Sequence, residues 1–75
     1  MRTWKSDYLE IQEEEFNNEV HAFSVYYNTE FVGQVVPQDP ANQESIIKAL
    51  DAGADPIAER WEDVDGNVLE YPIEA

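Results

Sequence analysis

A chain of 75 residues with 17 acidic side chains against 4 Lys/Arg carries a net charge of −13, a field that repels nucleic-acid phosphates and anionic membranes and attracts basic protein surfaces. At this length one domain over residues 1–75 is expected, and 43% hydrophobic with 12% aromatic content argues against disorder. With no cysteine, a disulfide framework and a thiolate zinc site are excluded, and a thin core must hold by packing or with a partner's help.

The opening residues, Met1 to Asp7, include Arg2 and Lys5 but no apolar run, so no export signal is expected. No stretch approaches the roughly 18 apolar residues of a membrane span, and the expected compartment is the cytoplasm. Two readings compete for residues 7–16. Tyr8 to Gln12 suits a strand, with Asn17-Asn18 turning into the next one; alternatively Ser6 caps a Glu-rich helix from Asp7 to Phe16. Strand is the expectation and helix its alternative.

Val20 to Tyr27 and Phe31 to Val36 are β-branched and aromatic runs joined by Asn28-Thr29-Glu30, which predicts a hairpin. Strict alternation puts His21, Phe23, Val25 and Tyr27 on one face with Val32 and Val36. Val20, Ala22, Ser24, Tyr26, Phe31 and Val35 fall on the other, and Gly33 comes opposite Tyr26. A helix over about residues 40–52 follows. Asp39 caps it, Pro40 occupies its first position, and Glu44 sits near the positive end of its dipole. Ile46, Ile47, Ala49 and Leu50 form its apolar stripe, and Gly53 then Pro56 end it. Beyond it, residues 57–64 and 67–73 read as a second hairpin about Asp65-Gly66. The expected fold is α+β, a small antiparallel sheet in the order β-β-β-α-β-β with one helix packed on one face.

The segment Trp61-Glu62-Asp63-Val64-Asp65-Gly66-Asn67 invites a calcium reading, and the spacing answers it. With Gly66 at the sixth position of an EF-type loop, Asp63 and Asp65 fall at positions 3 and 5. Trp61 then takes position 1 and Pro72 position 12, where carboxylates are required. His21, the single histidine, has no second histidine or cysteine with which to bind a transition metal. Ser6, Ser24 and Ser45 lie outside any nucleophile-elbow context, and Gly33, Gly53 and Gly66 stand alone rather than in a phosphate loop. Carboxylate pairs suited to acid/base chemistry are numerous, but so short a chain poorly supplies a deep pocket beside a core. No catalytic residue, cofactor or metal is expected.

Trp4, Tyr26, Tyr27, Trp61 and Tyr71 exceed the needs of so small a core, and Trp and Tyr dominate interface hot spots. The structural account of two of them is a stack of Trp61 on Tyr71 across the second hairpin. Gly53-Ala54-Asp55-Pro56-Ile57, with Trp61-Glu62-Asp63 and Gly66-Asn67, resembles a pattern in short acidic proteins of Gram-positive bacteria and their phages. That resemblance implies a mobile-element accessory protein and no particular activity. The functional expectation is a non-enzymatic acidic interaction module for a protein with a basic surface, with no direct nucleic-acid or membrane contact. Trp61, Glu62, Asp63 and Asp65 are its candidate interaction residues, together with the run Glu13, Glu14 and Glu15. A homodimer through a sheet edge and a nucleic-acid mimic are forms of this expectation. A cation-binding protein or minor enzyme using clustered carboxylates is its alternative.

Overall fold

Tight turns organise the first half of the chain in this computed structural model, which describes residues 1–72. Strands β1 (Thr3–Ser6), β2 (Leu9–Glu15), β3 (His21–Tyr27) and β4 (Glu30–Val35) form one antiparallel meander in that order. The strand reading of residues 7–16 therefore holds, but the first eighteen residues contain two strands. Asp7 adopts φ 39° and, with Tyr8, closes a two-residue turn between Ser6 and Leu9. At the next connection, Asn17 Oδ1 accepts the N–H groups of Glu19 and Val20 at 2.8 Å each, an Asx turn. Asn28 (φ 52°) and Thr29 (φ 68°) then give the doubly left-handed backbone of a type I′ hairpin. Asparagine tolerates this conformation, whereas the β-branched Thr29 carries a strain of about 1 kcal/mol.

The β3–β4 register differs from strict alternation. Val25 faces Gly33 while Tyr26 faces Phe31, so Val32 is an extra residue at a bulge. Past the bulge the phase is reset: Val35 lies opposite Phe23 and joins the core, and Gly33 faces Val25 rather than Tyr26. Leu69, not an aromatic, covers Gly33; a Cβ there would stand 2.6 Å from Leu69 Cδ2.

Helix α1 (Pro40–Asp51) starts where Asp39 accepts the Asn42 N–H at 2.7 Å. Its first turn contains no acid, so Glu44 lies beyond the dipole position expected for it. It stops at Gly53 (φ 94°), where Gly53 N–H donates to Leu50 O and Ala54 N–H to Ala49 O, the two bonds of a Schellman motif. Leu50 is buried, and Ile46 and Ile47 pack against the same cluster.

The second hairpin is not formed as expected. Asp55-Pro56 repeats the cap-and-first-position signature of Asp39-Pro40 and starts a single helical turn. Asp55 Oδ1 accepts from the N–H groups of Ile57 (2.9 Å) and Ala58 (3.2 Å). Arg60, at φ 60°, ends the turn, with Arg60 N–H donating to Ile57 O and Trp61 N–H to Pro56 O. Beyond it, pairing reduces to one isolated bridge between Glu62 and Val68; residue 73 of the expected strand lies outside the described residues. The order is β-β-β-β-α, still an α+β fold, with the helix after four strands.

One sheet face carries Ile11, Phe23, Val25 and Val35, and it is covered by Leu50 of α1 and by Ile57 and Leu69 of the C-terminal segment. That segment also bonds the edge of β4, Val64 N–H donating to Gln34 O at 2.9 Å. No helix among the described residues is long and apolar enough to cross a membrane.

Candidate functional site

The acids singled out in the sequence do not share one surface. Within β2 the run Glu13, Glu14, Glu15 alternates sides: Glu13 pairs with Phe23 and Glu15 with His21 on the helix-covered side, while Glu14 pairs with Ala22 on the opposite side. Glu13 is held on several sides. Its Oε2 lies 2.7 Å from His21 Nδ1, and its Oε1 accepts the Arg2 N–H at 3.1 Å. Burial pushes the Glu13 pKa upward, but the His21 hydrogen bond, the Arg2 backbone contact and the charges of both residues outweigh it and leave it below the ordinary value.

In the loop, Trp61 turns inward and packs against the core. Asp63 serves the backbone: its Oδ1 accepts the N–H groups of Asp65 and Asn67, each at 2.9 Å. Its own N–H donates to Asn67 O, and its carbonyl accepts the Gly66 N–H. Glu62 and Asp65 are left exposed. Among the described residues no group of three or more His, Cys, Asp or Glu side chains is gathered as metal ligands. Trp61 and Tyr71 do not stack. The Tyr71 ring meets Tyr27 instead, with centroids 5.0 Å apart and planes at 70°.

That contact belongs to a groove that sequence reasoning missed, about 690 Å³ in volume, between the β1–β2 turn and the C-terminal end of α1. Tyr8 stands at its edge, 65% exposed, and tilts at 58° to Tyr27 with centroids 6.2 Å apart. Trp4 packs on Phe23 and donates its indole N–H to Asp51 Oδ1 at 2.7 Å. The Tyr71 hydroxyl donates to Asp55 Oδ2 at 2.9 Å. This hydrogen bond, with partial desolvation and the charge of Asp55, raises the Tyr71 pKa above its ordinary value. The floor is apolar, formed by Leu9, Ile11 and Leu50.

The aromatic surplus pointed toward Trp4, Tyr27 and Tyr71, but nothing local singled out Tyr8, Asp51 or Asp55. One signal was present: Tyr8 occupies a two-residue turn, where an aromatic ring serves neither turn geometry nor core. Chemically the groove offers electron-rich ring faces beside carboxylates, an environment suited to a cation. Comparison with protein-family models, with curated proteins and with solved structures found no match.

Proposed function

We propose that this chain is a non-enzymatic, cytoplasmic interaction module that docks onto a basic surface of another protein. The net charge of −13 carries the reading, because such a field steers a cationic partner toward the molecule and repels polyanions. Exposed acids at Glu62 and Asp65, and the half-buried Glu14 on the sheet face away from α1, contribute to that field. A mobile-element accessory protein is the setting suggested by the sequence resemblance, and occupying the groove of a DNA-binding protein is its sharper form. A second copy would add along β1, the strand at one edge of the sheet.

The test is affinity capture from a bacterial lysate, followed by elution with salt and competition with duplex DNA. A basic protein released by salt and displaced by DNA is the expected result. Capture that ignores both would sink the proposal. The alternative, a cation-binding protein built on clustered carboxylates, rests on Asp63 and Asp65 sharing one tight turn. A calcium titration followed by backbone NMR separates the two: saturable shifts confined to that turn favour the alternative, and diffuse shifts indicate screening.

A further inference from the structure

The geometry points to the groove between the β1–β2 turn and the end of α1 as a receptor for one arginine side chain of the basic partner. This rests on the interaction reading and names the contact that would give it specificity. Three independent features converge. The first is the ring arrangement: Tyr27 is flanked by Tyr8 at 6.2 Å and by Tyr71 at 5.0 Å, with interplanar angles of 58° and 70°. Rings set at steep angles around a cleft present more than one face or edge to a guest, the arrangement by which aromatic side chains hold a cation.

The second feature is how the rings are tied. Trp4 and Tyr71 each donate a hydrogen bond to a carboxylate, Asp51 and Asp55 respectively. Donation toward an anion leaves an aromatic ring richer in electron density and strengthens its pull on a cation. The same carboxylates place negative charge at the groove, where Asp7 adds a third. Lys5 lines it too, but its ammonium group is turned toward Glu10 at 3.8 Å, a pair that the register puts on the opposite sheet face. The third feature is the helix. The groove is lined by Leu50, Asp51 and Gly53 at the C-terminal end of α1, the negative pole of its dipole.

Exposure separates this site from a merely structural cluster. Tyr8 is 65% and Tyr71 45% exposed, so neither ring is spent on the core. Arginine suits the site better than lysine, since a flat guanidinium stacks on a ring while its N–H fork still reaches a carboxylate. Charge complementarity with a basic protein, the partner class already inferred, fixes the source of that side chain.

The experiment titrates the intact chain with acetyl-arginine amide while backbone and ring resonances are followed by NMR, using acetyl-citrulline amide as the uncharged counterpart of the same shape. Saturable shifts confined to Trp4, Tyr8, Tyr27, Asp51 and Tyr71, absent with the citrulline probe, are expected. Tyr8→Ala should weaken the arginine probe about threefold, with the fold retained because Tyr8 lies outside the core. Equal shifts with citrulline, or shifts spread over all surface acids and indifferent to Tyr8→Ala, would overturn the assignment. Tighter binding of tetramethylammonium than of the arginine probe would also overturn it, in favour of a quaternary ammonium ligand. None of these failures touches the broader proposal, which needs only DNA-displaceable capture of a basic protein. Conversely, loss of that capture with a saturable arginine site would remove the proposed partner and leave the groove.

Discussion

The loop at residues 61–66 and the groove beside α1 are built from the same ingredients, aspartates and large aromatics, and use them in opposite ways. In the loop the ring of Trp61 is turned into the core, and the Asp63 carboxylate is occupied by the N–H groups of Asp65 and Asn67. In the groove Tyr8 and Tyr71 stand exposed, and Asp51 and Asp55 hold side-chain donors of Trp4 and Tyr71. A carboxylate whose partners lie two to four residues away is shaping its own turn. One whose partner lies 47 or 16 residues away joins separate parts of the chain, and it is there that a surface with chemical character is assembled.

The largest expected effect tests whether the loop is structural. Leu69 follows it, is buried in the core cluster, and closes over Gly33 of β4. Leu69→Ala should lower stability by about 3 kcal/mol, read from the urea midpoint. A loss well below this would show that the C-terminal segment adds little to the core, and the contrast with the groove would collapse. Gly33→Ala should cost less, because the colliding atom is the end of a side chain that can shift. In the Leu69→Ala background its cost should nearly vanish, the non-additivity expected of two groups in contact.

This shared anchoring explains what was legible in the sequence. Turn and cap chemistry is local and could be read: Asp39-Pro40 with Gly53 bounds α1, and Asn28 marks the β3–β4 turn. At Asp55-Pro56 the sequence offers Pro56 as a helix stop, but an aspartate before a proline can also start a turn, which it does here. The bulge at Val32 could not be read, because an extra residue is set by sheet packing rather than by spacing, and it moved Val35 into the core. Asp65-Gly66 predicts a hairpin, of which the structure keeps the turn at Gly66 but no strand pairing beyond Glu62 and Val68. The groove is illegible because its members lie in four separate stretches of chain, with only the aromatic surplus to hint at them.

Two aspartates sharpen the comparison at smaller cost. Asp55 both caps a helical turn and holds Tyr71, so Asp55→Ala should cost about 1.5 kcal/mol and weaken the arginine probe. Asp63→Ala removes a carboxylate that serves only backbone N–H groups and should cost about 1 kcal/mol, with affinity for the probe retained. Urea melts and the probe titration together check the pair. If Asp63→Ala weakened the probe as much as Asp55→Ala, the two regions would not be distinct in kind.

Glu13 gives a third measure, outside both regions. Its pKa is lowered from the ordinary 4.5, so its contribution to stability is complete above that value. The contribution is lost as pH falls through the lower, folded-state value. The advantage of the native chain over Glu13→Gln in melting temperature should therefore shrink as pH falls below 4.5. Using the difference between the two proteins cancels the relief of repulsion among the other carboxylates. An advantage that grew as pH fell below 4.5 would mean that Glu13 is not held in its charged form.

The smallest effect is the most selective, because the loop at residues 61–66 contains no tyrosine and the groove contains three of the four in the chain. The hydrogen bond from Tyr71 to Asp55 is the leading cause of its raised pKa. A group so shifted contributes stability below its ordinary value of 10.0 and loses it as pH rises through the higher, folded-state value. Near-ultraviolet absorbance titration should show one phenol ionising above that ordinary value. The late component should vanish in Tyr71→Phe and move down in Asp55→Asn, where the charge is gone but an acceptor remains. A saturating arginine probe should move it down as well, because a guanidinium beside the ring stabilises the phenolate. A late component unmoved by the probe would leave the hydrogen bond in place and take the cation out of the groove.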